Sequence, residues 1–257
     1  MVLHGRRETV AEAVPRLERL AAAAGVELVD ADDGAAGGID LAVVLGGDGT
    51  MLRALNRFLG TGIPVVGVNF GAVGFLTSIR RNELEEGLGR VFRGDYRVLE
   101  LPTLEAEARG ERRPAVNDVV AASSMLGRMV ELAWSVGGED LGTLPCDGLI
   151  CATPSGSTAY NLSNGGPVLV WGLDAVALTF IAPHSLHARP LVVPRSRDVV
   201  VENRTPNVDV SVLADGHVFA ELPRGGRVTI RLAERYSLLA TLPEQTFSRR
   251  YRQTFAS

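Results

Sequence analysis

Along the first hundred residues the apolar positions switch between two periods. From Thr9, "TVAEAVPRLERLAAAAG" sets Val10, Ala13, Val14, Leu17, Ala21 and Ala24 on one side of a helix. Thr9 and Glu12 are spaced as a capping box, Gly25 is a stop, and Pro15 predicts a kink or a late start. Continuous apolar runs at Leu41 to Leu45 and at 63–68, "IPVVGV", predict buried strands, with shorter ones at Val2-Leu3 and at 26–29, "VELV". Met51, Leu52, Leu55, Phe58 and Leu59 return to helical spacing, so a helix is expected over Thr50 to Leu59 and a more polar one near Asn82 to Phe92. Strand and helix in alternation argue for parallel α/β units.

Past Tyr96 the pattern changes to short alternating runs. "TLEAEARGERRPAVNDVV" reads as a hairpin, and "RMVELAWSV", "AVALTFI", "DVVVEN", "NVDVSVLADGHVFAEL" and "RVTIRLAERYSLLATL" as successive strands. This half is expected to be packed antiparallel sheets. The economical division is a domain over 1–97, a β-rich domain over 98–238, and an aromatic closing segment, 239–257, that packs back on the first.

Composition then removes whole classes. The chain has 257 residues and a net charge of −4, without the basic footprint of a nucleic-acid binder. No apolar run reaches membrane-span length and the start lacks a secretory h-region, so no membrane partner and a cytoplasmic location are expected. Cys146 and Cys151 are too few for a zinc site or a disulfide framework and read as buried or half-buried thiols. All 26 basic residues are arginine. With no lysine, a P-loop lysine, a kinase strand lysine and Schiff-base chemistry are excluded. Any phosphate must be met by arginine, backbone N–H groups and a metal.

Three Asp-Gly pairs raise the question of chemistry, since Asp-Gly is first of all a hairpin turn. Asp215-Gly216 lies between two alternating runs and fits that reading. Asp48-Gly49 does not: its flanks are a buried strand and a helix. The loop Gly46, Gly47, Asp48, Gly49, Thr50 has the make-up of a phosphate cradle at a helix N-terminus. A carboxylate there repels phosphate unless it binds a metal or takes a proton from an incoming hydroxyl. Arg53, one turn on, is placed to offset it, and a purely structural Asp is the alternative. Asp147-Gly148 opens "DGLICATPSGSTAYNLSNGGPV", where hydroxyls, amides and glycines follow a short apolar run, as suits either a polar-ligand site or a solvated loop. His184 and His187 form H-x-x-H, but Pro183 and Pro190 disfavour one helix and no third ligand is evident. Trp134 and Trp171, flanked by apolar strand residues, read as core.

Taken together, "GGDGT" at 46–50, Asn117-Asp118, "DGLICATPSGSTAYNLSNGGP" at 147–167, "APHSLHARPLVV" at 182–193 and "DGH" at 215–217 resemble the NAD kinase family. The resemblance covers nearly the whole chain, and the long second motif makes it specific, since lipid kinases and phosphofructokinases carry loops like the first. It implies an N-terminal Rossmann-like α/β domain and a C-terminal β-sandwich-type domain. The implied activity is transfer of a phosphoryl group from ATP or inorganic polyphosphate to the adenosine 2′-hydroxyl of NAD, giving NADP. A divalent cation, with Mg2+ expected, and a homodimer or homotetramer are implied with it.

By the same resemblance Asp48 is the proton acceptor, and Gly49 and Arg53 lie along the nucleotide. Phe75 lines the pocket, and Asn117 and Asp118 bond sugar or base. Thr158, Ala159, Tyr160, Asn161, Leu162 and Ser163 surround the adenine end, and Arg128, Asp147 and His217 add contacts to NAD. The chain departs from the family pattern in four places. Asp118 stands where Glu is usual, Pro145 where a basic residue is common, and His217 where Gln is frequent, which predicts a modest pH dependence of NAD affinity. The first strand is also short, through a mis-set start or natural trimming. Two other classes share parts of this signal: a diacylglycerol- or sphingosine-type lipid kinase with the same glycine loop, and a dinucleotide sensor that keeps the pocket but not the base.

Overall fold

Continuous apolar strands need cover on both faces, and in the first unit of the chain they receive it from helices. The computed structural model describes residues 2–3, 10–30, 38–71 and 74–255. The first unit comprises Met1–Glu100 and Ser237–Ser257 and the second Leu101–Tyr236. The chain passes from one to the other inside two strands.

Strands β1 (Val2–Leu3), β2 (Ala42–Gly46) and β3 (Val65–Asn69) run parallel in that order, with Val44 opposite Gly67. β4 (Ile79–Arg80) joins β3 in parallel at Val68. Helices α1 (Val14–Ala24) and α3 (Leu84–Phe92) bury Leu17, Leu84, Leu88 and Val91 against Val43, Leu45, Val66 and Val68 on one face. Helix α2 (Asp48–Arg57) covers the other, where Met51 sits so close over β3 that a Cβ at position 67 would come within 2.4 Å of its sulfur. Pro15 occupies the first turn of α1, which begins after a turn at Glu12-Ala13 that interrupts the helical run from Val10 and Ala11, and Gly25 in the left-handed region closes it. The Thr9 cap lies outside the described residues. Val26–Val29 forms no strand: Val26 and Leu28 are half-buried, but the run takes no ladder position beside β1 or β2.

The second unit is two antiparallel layers. One sheet has the order β12 (Leu191–Pro194), β11 (Ala175–Ile181), β10 (Gly148–Ala152), β7 (Asp118–Ser123), β14 (Val210–Ala214), β15 (His217–Leu222). The facing layer is built from β5 (Arg97–Ala108), β6 (Glu111–Ala115), β8 (Val130–Val136), β9 (Glu139–Cys146), β13 (Val199–Asn203) and the first part of β16 (Arg227–Thr241). Alternation decides the core: Leu149 and Cys151 of β10 point between the layers, while Ile150 and Ala152 face Leu169 and Ala177 on the outside. The expected hairpins at Arg109-Gly110 and Asp215-Gly216 are present, each with positive φ at both turn residues.

β9 and β12 carry too little apolar alternation to be read from sequence. The final β16 is one long strand whose far end, at Leu239, pairs with Val65 of the first unit's own sheet. Trp134 and Trp171 are only half-buried, with Trp134 set edge-on to Phe180 at the core margin. Among the described residues no helix is long and apolar enough to cross a membrane.

Candidate active site

β2 ends at Gly46, and the chain turns through an extended Gly47 (φ −104°, ψ −171°) straight into α2. Asp48 is therefore the first helical residue, two positions earlier than the apolar spacing suggests. It stands at the C-terminal edge of a parallel sheet, where open α/β folds place ligands. The amides of Thr50 and Met51 bond the Gly47 carbonyl, each at 3.0 Å. Neither Gly47 nor Gly49 uses a positive φ, and among the described residues a Cβ at either would meet nothing within 4 Å. Glycine is not needed there for the backbone; it leaves the approach to the helix N-terminus open.

The Asp48 side chain is fixed from a second loop. Phe75 N–H donates to Oδ2 at 2.7 Å and Leu76 N–H to Oδ1 at 3.1 Å. Gly74 makes room, since a Cβ there would fall 2.2 to 2.4 Å from the carboxylate atoms. Ala72 and Val73 of this loop lie outside the described residues. The Phe75 ring, read as lining a pocket, is 5% exposed and packs against Phe247 and Phe255 of α4 (Phe247–Phe255). Its peptide, not its ring, addresses Asp48. Under the loop lies Arg250, 3% exposed, donating to the carbonyls of Phe75 and Thr77 at 2.6 Å each and to Thr241 Oγ1 at 2.7 Å. Burial lowers the guanidinium pKa to about 10, against the opposing pull of the Asp48 charge, so it stays charged near neutrality. Arg53 is exposed on α2. A cavity of about 590 Å3 lined by Leu28, Asp40, Ala42 and Tyr96 lies at the opposite end of β2 and is not part of this site.

In the second unit the Asn117-Asp118 segment is held from three sides. The Asp215 carboxylate accepts the amides of Val116, Asn117 and Asp118 at 2.7, 2.8 and 3.1 Å. Asp215 is thus more than a turn residue: from the β14–β15 hairpin it fixes the strand start next to it. Thr153 N–H and Oγ1 bond the Asn117 carbonyl, and Gly156 lies so close that a Cβ would sit 2.0 Å from that oxygen. With its backbone so committed, Asn117 is left with a buried Oδ1 that has no hydrogen-bond partner among the described residues, an acceptor open to a ligand donor. The Asp118 carboxyl is raised to about 7, first by burial and then by the charge of Asp215.

Half of the polar side chains of 153–167 are buried. Thr153, Ser155 and Ser157 are buried and bond backbone carbonyls. Asn161 is fully buried, with Nδ2 donating to Ser157 and Pro167 carbonyls and Oδ1 accepting from Thr179. These residues build the loop. Thr158, Ala159 and Leu162 are half-buried, and Tyr160 and Ser163 exposed. Arg128, Asp147, His184, His187 and His217 are exposed, and His217 Nδ1 lies 3.0 Å from the Asp215 carbonyl. Among the described residues no group of three His, Cys, Asp or Glu side chains is arranged to hold a metal ion.

Residues 4–96 match the model of the ATP-NAD kinase N-terminal domain and residues 116–242 that of the C-terminal domain. The chain belongs to the NAD kinase family. It is 39% identical to the NAD kinase of Syntrophotalea carbinolica over 216 residues, covering 82% of this chain and 76% of that protein. With the enzyme of Heliobacterium modesticaldum the figure is 42% over 220 residues, covering 84% and 78%. Among solved NAD kinase family structures, yeast NADH kinase complexed with NADH superposes with a TM-score of 0.78 at 26% identity, covering 84% of this chain and 67% of that one. The NAD kinase of Archaeoglobus fulgidus in complex with ATP gives 0.76 at 28% identity, covering 95% and 93%. Leu76, Asp215 and Arg250 were not singled out for the Asp48 site or the Asn117 clamp by sequence reasoning. For Arg250 a signal existed: an arginine on the inward face of an aromatic helix, three residues after Phe247 and four before Thr254.

Proposed function

We propose that this chain phosphorylates the adenosine 2′-hydroxyl of NAD, taking the phosphoryl group from ATP or inorganic polyphosphate, with Asp48 as general base. The observation that carries the reading is the Asp48 carboxylate locked at the start of α2 by two backbone amides. Each of its oxygens has a further lone pair, so orientation is secured without using up its capacity to accept a proton. A ribose hydroxyl is a weak nucleophile, and a positioned carboxylate taking its proton is worth about 10²–10⁴ in rate. The open flank at Gly47 and Gly49 and the N-terminal amides of α2 suit a phosphate chain. In the second unit the unpartnered Asn117 Oδ1 and the neighbouring Asp118 suit the hydroxyls or base edge of a nucleoside.

A divalent cation is expected to enter with the donor phosphates, held by one or two carboxylates and water, and to neutralise charge on the transferring group. A homodimer or homotetramer is expected, and light scattering on the purified chain reads it. Neither a lipid kinase nor a sensor draws support from the two family matches. The test is NAD, Mg2+ and either donor, with NADP read by an NADP-specific dehydrogenase. Asp48→Asn should fold as the wild type does and turn over at least about a hundredfold more slowly. Absence of NADP with every donor overturns the activity, and full turnover in Asp48→Asn removes the base.

A further inference from the structure

The bond network under the Asp48 loop has a feature that the general-base reading alone does not require. The peptide joining Phe75 to Leu76 is gripped at both ends: its carbonyl accepts from Arg250 Nη1 at 2.6 Å, and its N–H donates to Asp48 Oδ1 at 3.1 Å. One peptide plane therefore lies between a buried cation and the carboxylate. The neighbouring amide, Phe75 N–H, holds the other oxygen of Asp48. Arg250 also spans to the Thr77 carbonyl, so it brackets the segment that carries both donors. We propose that Arg250 is the positioning residue of the phosphoryl-transfer step, setting the Phe75–Leu76 peptide and through it the direction of the Asp48 carboxylate.

Three physical points support this assignment, which rests on Asp48 acting as the base. A buried guanidinium is expensive, and four of its bonds here go to neutral oxygens, the carbonyls of Phe75, Thr77 and Gln245 and Thr241 Oγ1. A cation is a costly choice if the need were only to satisfy carbonyls, whereas its charge acts directly on Asp48. A peptide whose carbonyl is polarised by a cation is also a stronger N–H donor, so the Leu76 bond to the carboxylate is strengthened cooperatively. Finally, Arg250 is itself fixed by packing. Phe247, three residues earlier on α4, and Phe255, five later, both contact the Phe75 ring. The rings hold the Phe75 side chain and the guanidinium its carbonyl, so one helix seats this loop residue at two points and acts as a strap under the loop.

The experiment is a double-mutant cycle with an independent structural readout. Arg250→Met should lower kcat by about 10- to 100-fold while the KM values for NAD and the donor move less than about threefold. In the Asp48→Asn background the same change should lower kcat by less than about twofold, because the group it positions is gone. Arg250→Lys, which keeps the charge and loses the fork, should fall between. Equal losses in both backgrounds, or no loss in either, overturn the proposal. If Arg250→Met does not fold, Arg250→Lys and Thr241→Val carry the cycle. Amide hydrogen exchange at Phe75 and Leu76, followed by NMR, should quicken at least about tenfold in Arg250→Met or its replacements while α2 keeps its protection. Unchanged exchange at these two amides also overturns the proposal. If Asp48→Asn retains full turnover, the base reading fails by itself, and the exchange measurement still decides whether Arg250 sets the loop.

Discussion

Replacing Gly74 by alanine isolates the geometry of Asp48 from its chemistry. The new Cβ would stand 2.2 Å from Oδ1, 2.3 Å from Cγ and 2.4 Å from Oδ2, and ordinary contact requires a shift of roughly 1 Å. The obstructed atoms end a short side chain that can rotate, so the strain is relieved by turning the carboxylate away from the Phe75 and Leu76 amides. Losing those two bonds to a partly solvated carboxylate costs about 1–3 kcal/mol of stability. A misplacement of about 1 Å at a reacting group costs on the order of a hundredfold in rate. Gly74→Ala should therefore remain folded, melt a few degrees lower and lose about 10²-fold in kcat with little change in either KM. Gly49→Ala is the control: its Cβ meets no atom of the described residues within 4 Å, so stability should hold within about 0.5 kcal/mol while the donor KM rises. The assay is coupled NADP formation alongside calorimetry. A Gly74→Ala protein with wild-type kcat would refute the claim that this carboxylate orientation is the productive one.

Further outcomes follow from the second unit. Because the folded-state pKa of Asp118 is raised to about 7 from an unfolded value near 4, the native state binds the extra proton. Stability contributed by this group is therefore greatest below about pH 4 and is lost as pH rises to about 7, at no more than about 1.4 kcal/mol per pH unit. Urea melts of wild type minus Asp118→Asn at pH 5, 6, 7 and 8 should show that decline, and a flat difference would refute it. Gly156→Ala drives a methyl into the Asn117 carbonyl at 2.0 Å, where only backbone can give way, and should destabilise by about 3 kcal/mol or more in denaturant melts. Burial pushes both thiols above their ordinary range, Cys146 to about 12. Neither should react with a disulfide reagent at pH 8 until the protein is unfolded; rapid native labelling would mean that β9 and β10 open readily.

The local pattern of the chain was sufficient for the elements whose burial repeats with a clear period. β2, β3, α2 and α3, the two Gly-turned hairpins and the change from parallel to antiparallel structure near Tyr96 follow from apolar spacing and turn residues, because each is settled within a few neighbours. The same local pattern marks Asp48, a carboxylate between glycines where strand meets helix. What required the folded molecule is every contact that closes over long separation. Whether Val26–Val29 becomes a strand depends on a free ladder position that no window reveals. The hydroxyls and amides of 153–167 look alike in sequence, yet Asn161 is sealed inside while Tyr160 beside it is exposed. The Asn117 clamp comes from Asp215, 98 residues away, and the support under Asp48 from Arg250, 175 residues beyond Phe75. Periodicity encodes which face of an element is dry, while tertiary packing alone decides which distant polar group arrives there to meet it.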